Sequence, residues 1–232
     1  MVDVLAIAAH PDDAEIGAGG VIALLGDRGL SVGILDLTNG EPTPHGSVQQ
    51  RRREATAAAS VLGVKWRRCL ELPNRSLEPS LDARRAVAAI IRELRPRILL
   101  AHHWHDVHPD HVAASQLAEA ARFWAKLSKS DLPFQPHWCE AIYYFFGSHL
   151  RAAEPAAFAV DISPAMERKL RAVATYESQF GAGRSVVGRS GSVVEQLRTR
   201  ARYWGWLTGV EYAEPFATRE PIALPLLPRL LN

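Results

Sequence analysis

Two short stretches hold side chains able to do chemistry. One is His10-Pro11-Asp12-Asp13; the other is HHWHDVHPDH (102–111), which carries five of the nine histidines. Adjacent carboxylates repel one another and suit a core poorly, so Asp12 and Asp13 beside His10 imply a cation. A solitary histidine is usually structural. His102, His103, His105, His108 and His111 together, with Asp106 and Asp110 among them, point instead to a metal site.

Spacing narrows the ligands. His10 leaves the end of a strand, and Asp13 follows where the chain curls into a helix, so both side chains can turn to one point. His111 falls in the first turn of a helix opened by Pro109 and approaches from the other side. Two imidazoles and one carboxylate leave a coordination position open, as at a catalytic zinc rather than a closed structural site. Asp12 is then the spare acid, suited to act as general base on a metal-activated water. His108 faces the substrate side, to stabilise an oxyanion or protonate a leaving amine. Asp110 either orients that ring and keeps it charged, or caps the helix whose first turn it occupies.

The elements that must position these groups alternate. Strand patterns at 2–9, 31–37, 64–72 and 97–102 are interleaved with helical patterns at 16–28, 48–62, 81–94 and 109–127. That order predicts an α/β fold, a Rossmann-like, mostly parallel sheet with helices on both faces. Both polar clusters directly follow strands, which places an active site at the C-terminal ends of the strands. Further strands are expected at 140–146 and 157–163, and helices at 166–180 and 193–207, with a glycine- and serine-rich loop at 181–192. No repeat or linker divides the chain, so residues 1–232 read as one domain.

Composition excludes several classes. A formal net charge of +2 with scattered basic residues argues against nucleic acid, and Arg51-Arg52-Arg53 reads first as a solvated helix face. No apolar run reaches the ~18 residues of a membrane span, and the opening MVDVLAIAAHPDD lacks the pattern of a signal peptide. Cys69 and Cys139 form neither a disulfide framework nor a thiolate metal site, so a cytoplasmic setting is expected.

The residues also carry a family resemblance. AHPDDAEIGAGG followed by HPDH resembles the PIG-L/LmbE-like deacetylase superfamily, zinc-dependent enzymes that remove the N-acetyl group from N-acetylglucosamine compounds. The likeness continues through LTNGE (37–41), RREATAAASVLGV (52–64), LPNRSL (72–77), YESQF (176–180) and GVEYAEPF (209–216). The last two segments look most like the bacillithiol-pathway branch, which deacetylates N-acetylglucosaminyl malate. The resemblance implies one zinc on His10, Asp13 and His111, sites that iron or cobalt would also fit. It implies Asp12 as base, His108 as oxyanion or acid group with Asp110 behind it, and a small-molecule N-acetylglucosamine conjugate as partner. Arg51 matches an arginine that contacts substrate hydroxyls or a carboxylate. Tyr176 and Gln179 either shape the site or pack the core. Members of the family often form trimers or hexamers, so a homo-oligomer belongs to what the resemblance implies. Two departures stand out: Asn74 where relatives often carry aspartate, and Val107 where some bacillithiol enzymes carry arginine.

Three rivals fit less well. A dinucleotide fingerprint starting at Gly17 needs glycine at 22, which is Ile22, and Asp12 and Asp13 would face a pyrophosphate. A two-metal β-lactamase-type site has H-x-H-x-D-H spacing, which HWHDVH lacks. A non-haem iron oxygenase shares the two-histidine, one-carboxylate set but has no use for a base like Asp12.

Overall fold

Alternation of apolar strands and helical stripes resolves into one seven-stranded sheet in a computed structural model, which describes residues 1–149, 154–181 and 191–223. The elements are β1 (Val4–Ala8), α1 (Asp13–Asp27), β2 (Val32–Thr38), α2 (Val48–Leu62), β3 (Trp66–Leu72), α3 (Leu81–Leu94), β4 (Ile98–His102) and α4 (Pro109–Ala125). Then come β5 (Ala141–Phe145), β6 (Phe158–Asp161), α5 (Met166–Ala174), α6 (Glu177–Phe180), α7 (Val193–Thr208) and β7 (Ala213–Ala217). The sheet order is β3-β2-β1-β4-β5-β7-β6. The first five strands are parallel; β7 runs antiparallel to both neighbours. No helix among the described residues is long and apolar enough to cross a membrane.

Both faces of the sheet are covered, as a parallel sheet requires. Leu5 and Ile7 of β1 face a core with Val87 and Ile91 of α3 and Leu117 of α4. Their neighbours Val4, Ala6 and Ala8 face the opposite core, with Ala14, Ala18 and Ile22 of α1 and Ala58 of α2. On that second face small residues meet small residues, and α1 comes very close. A Cβ on Gly17 would lie 2.2 Å from the Phe145 ring, and one on Gly20 would lie 2.7 Å from Ile162. The glycines after the HPDD motif are therefore packing glycines.

Helix ends follow local chemistry. Ser47 and Ser80 cap α2 and α3 by accepting from the Gln50 and Ala83 amides, and Ser192 with Glu195 forms a capping box on α7. α1 begins at Asp13, three residues before its apolar periodicity does, because its first turn is polar.

Two elements differ from expectation. The helix expected over 166–180 stops at Ala174, and Tyr176 turns inward before a short second helix. There its hydroxyl donates to Glu15 (2.9 Å) and receives a hydrogen bond from Arg67 (3.1 Å). The unforeseen strand β7 lies between β5 and β6. Its Glu214 accepts from the Gly20 and Val21 amides of α1 and pairs with buried Lys169. Of the expected loop at 181–192, residues 182–190 lie outside the described residues.

Candidate metal and active site

β1 pairs with β2 on one side and β4 on the other, so the chain reverses its winding direction between β1 and β4. At such a switch point the loops beyond the two strands diverge and leave a crevice. His10–Asp13 leaves β1 there and His102–His111 leaves β4. The cleft between them measures about 390 Å³, and its lining includes His10, Asp12, Asp13, Arg51, His108 and His111.

The three expected metal ligands converge: donor atoms of His10, Asp13 and His111 lie within 4.8 Å of one another. Asp13 is the hub. Its Oδ2 accepts from the His10 amide (2.9 Å) and lies 3.1 Å from His10 Nδ1, while its Oδ1 lies 3.2 Å from His111 Nε2. Asp106, which the sequence reading left without a role, holds His111 from behind (Oδ2 to Nδ1, 3.0 Å) and accepts from the His108 amide (2.9 Å). A carboxylate on the far nitrogen fixes the ring and leaves Nε2 for a metal, an arrangement common at metal-bound histidines. Two imidazoles, one carboxylate and such a support fit a divalent cation such as zinc.

Electrostatics follow from this crowding. Burial opposes charge on His10, but its bonds to Asp110 and Asp13 outweigh that and raise its pKa to about 9. Burial is likewise outweighed at His111, where Asp13 and Asp106 raise the pKa to about 10. The same partnership holds Asp13 well below the carboxylate range despite burial, with the His111 imidazolium the principal cause and His102 and His10 beside it.

Asp12 sits apart from that hub. It holds a left-handed backbone (φ 108°), uncommon for a side chain with a Cβ, and makes no side-chain cap to α1. Burial raises its pKa to about 7, opposed chiefly by Arg51. A carboxylate poised near neutrality can take up and return a proton.

Arg51 does not lie on a solvated helix face. It is 3% exposed; Nη1 donates to Asp12 Oδ2 (3.3 Å), Nη2 donates to the Pro11 carbonyl (2.6 Å), and the guanidinium lies 5.5 Å from the Tyr176 ring centre. It borders the cleft, yet two donors are committed to the segment carrying Asp12.

His108 and Asp110 also differ from expectation. The Asp110 carboxylate does not back the His108 ring: it lies 3.2 Å from His10 Nε2 and accepts from the Arg75 and Leu77 amides. What orients His108 is the Asp110 backbone amide, which donates to Nδ1 (3.2 Å), so His108 itself caps α4. Nor is His108 held charged. Burial, with His111 and His10 nearby, lowers its pKa to about 4. Since Nδ1 accepts, the proton of the neutral ring sits on Nε2, which can donate one hydrogen bond.

The remaining residues sort cleanly. His103 and His105 bond each other's segment or Glu154 and join none of the candidate clusters. Asn74, Arg75 and Gln179 line the cleft with Thr43, Ser148 and His149. Arg75 reaches the Pro42 carbonyl (2.6 Å), and Gln179 the His45 carbonyl (3.0 Å), bracing the β2–α2 loop from two sides. Val107 is 62% exposed and outside the lining. Spacing placed Asp106 and His102 in the histidine-rich cluster without assigning either a role, and missed His149, which follows β5 with no local signal.

Comparison with known proteins agrees with this geometry. A family model described as PIG-L, GlcNAc-PI de-N-acetylase, matches residues 5–122, the stretch holding both motifs. The diacetylchitobiose deacetylase of Thermococcus kodakarensis is 36% identical over 226 residues, covering 91% of this chain and 80% of that one. The probable N-acetyl-alpha-D-glucosaminyl L-malate deacetylase 2 of Bacillus cereus is 30% identical over 196 residues, covering 77% and 84%. The solved structure of the conserved protein TT1542 from Thermus thermophilus superposes with a TM-score of 0.89 at 39% identity, covering 98% and 99%. By motif, fold and these likenesses, the chain belongs to the PIG-L family of de-N-acetylases.

Proposed function

We propose that the protein is a zinc-dependent hydrolase that removes the acetyl group from an N-acetylglucosamine-bearing small molecule. One observation carries this reading: donor atoms of His10, Asp13 and His111 converge in a cleft that Asp12, outside that trio and with its pKa raised to about 7, also lines. His10, Asp13 and His111 would hold the metal, whose Lewis acidity activates water and polarises the acetamide carbonyl.

The chain supplies the rest. Asp12 accepts the proton of the attacking water, with Arg51 holding its carboxylate in place. The His108 Nε2–H donates to the carbonyl oxygen as negative charge gathers there, while the Asp110 amide occupies the Nδ1 lone pair. The C–N bond then breaks, and the proton held by Asp12 passes to the departing nitrogen, giving acetate and a free amine. Thr43, Asn74, Ser148 and Gln179 around the mouth offer donors and acceptors suited to sugar hydroxyls.

The aglycone is the finer question. The B. cereus relative supports the malate conjugate expected from the sequence, and the T. kodakarensis relative supports a chitobiose-type substrate. Val107 lies outside the cleft and does not choose between them; the higher identity and coverage of the T. kodakarensis relative favour the chitobiose-type substrate. The test is primary-amine release from diacetylchitobiose and from the malate and inositol conjugates of N-acetylglucosamine, with zinc-loaded and chelator-stripped protein. Zinc-dependent release from at least one, strongest on diacetylchitobiose, is expected. Silence across the panel with zinc bound would overturn the sugar assignment.

A further inference from the structure

We propose that His102, the last residue of β4, is a positioning residue for the metal site, holding the backbone that leads into His10 and the ring of His111 from beneath. This rests on the reading of His10 and His111 as metal ligands.

His102 is fully buried at the end of a strand whose neighbours Leu99, Leu100 and Ala101 are apolar. An aliphatic side chain would satisfy that environment, and the imidazole is imperfectly satisfied there. Its Nδ1 is buried with no hydrogen-bond partner among the described residues, a standing cost to folding. What the imidazole gains lies on its other side. Nε2 is 3.2 Å from Asp13 Oδ2 and 3.1 Å from the Ala9 amide nitrogen. Nε2 accepts from the Ala9 N–H and so ties the end of β4 to the backbone just before His10, with the Asp13 carboxylate alongside. The ring also stacks on His111, with centres 4.1 Å apart and planes 26° from parallel, and Phe145 closes its outer side at 4.7 Å.

Two expected ligands have a carboxylate behind them, Asp106 for His111 and Asp110 for His10, and His102 adds an acceptor for the backbone that leads into His10. His102 alone of these three also stacks flat on a second expected ligand, His111. The space above is closed too: a Cβ on Gly147 would lie 3.1 Å from Asp106 Oδ2, 3.4 Å from His111 Nδ1 and 3.6 Å from His102 Nδ1. Rings trapped between a glycine backbone and a strand end cannot swing away when the metal is absent, which preorganises the ligand set.

The test compares His102→Leu, which keeps bulk and removes polarity, with His102→Gln, whose side-chain carbonyl can accept from the Ala9 amide. Zinc affinity is measured by chelator competition and coordination by the visible absorption of the cobalt-substituted protein; melting of the metal-free proteins is followed alongside. Supports of this kind are worth ~10–100-fold in metal affinity. His102→Leu should lose that much and change the cobalt spectrum while the metal-free protein melts no lower than wild type; His102→Gln should recover most of both. Wild-type affinity and spectrum in His102→Leu would overturn the proposal, as would a His102→Gln protein that folds but binds as weakly as His102→Leu. If His102→Leu does not fold, His102→Gln decides: near-wild-type affinity and spectrum uphold the proposal, and a loss of ~10-fold or more overturns it. His10→Ala and His111→Ala serve as references. Tight zinc binding in both would mean that the ligand assignment, not the role of His102, had failed.

Discussion

Arg51→Met separates two roles that sequence alone merges. The guanidinium lies 3.3 Å from the Asp12 carboxylate and is all but inaccessible, so its loss acts on Asp12 before it acts on any ligand. A cation at that range lowers a carboxylate by ~1–3 pKa units, or roughly 1.4–4 kcal/mol at 1.36 kcal/mol per unit. Asp12 stands at about 7 with Arg51 present; without it the carboxyl moves up by that amount and holds its proton to higher pH. A protonated carboxyl cannot accept from water. The acid limb of the kcat profile therefore shifts upward by ~1–3 units, and turnover on that limb falls ~10–1000-fold, returning as pH rises. Whatever a bound metal adds to Asp12 is common to both proteins and cancels from the shift. The assay is kcat and KM from pH 5.5 to 9.5 on a neutral and an acidic N-acetylglucosaminide. An unmoved acid limb, with KM raised for the acidic substrate alone, would refute the reasoning and restore Arg51 as a substrate ligand.

Two further outcomes follow from packing and from protons. Gly17→Ala drives a methyl into the Phe145 ring, an overpacking cost of ~1–3 kcal/mol against at most ~1 kcal/mol from helix propensity. Gly26→Ala in the same helix meets only the Leu62 carbonyl at 3.8 Å and should stabilise by up to ~1 kcal/mol. Opposite shifts in thermal melting are expected, and shifts of the same sign would contradict the packing role of Gly17. If His10 and His111 ligate zinc, binding displaces their protons, and their pKa values stand near 9 and 10. Both are raised, so affinity falls as pH drops and rises with pH by up to roughly 100-fold per unit near neutrality. Competition titrations at pH 6.5, 7.25 and 8 should show the rise; a flat profile would remove both rings from the ligand set.

Much of this was legible in the sequence where the signal is local. The β–α alternation through residue 125, the proline opening α4 and the placement of both motifs beyond strand ends all follow from periodicity and end chemistry. Partnerships that only the fold creates were not legible. β7 reads AEPFA, whose Pro215 and Glu214 argue against a strand, yet Glu214 is spent on the amides of α1 and on Lys169. The stop at Ala174 serves Tyr176, whose hydroxyl meets Glu15 and Arg67 across more than a hundred residues of chain. At the site, spacing brought His10, Asp13 and His111 together. It could not tell that the Asp110 carboxylate turns to His10, that its amide rather than its side chain orients His108, or that Arg51 holds Asp12.

The adjacent carboxylates Asp12 and Asp13 carry the account, one as base and the other as ligand, so separating them is its most direct test. Zinc content and turnover would be measured together for Asp12→Ala and Asp13→Ala, each with the wild-type protein. Asp12→Ala should keep one zinc per chain and lose ~10²–10⁴-fold in kcat, whereas Asp13→Ala should lose tight zinc binding. Loss of zinc in Asp12→Ala with retention in Asp13→Ala would mean that the two roles are exchanged, and the account as stated would be wrong.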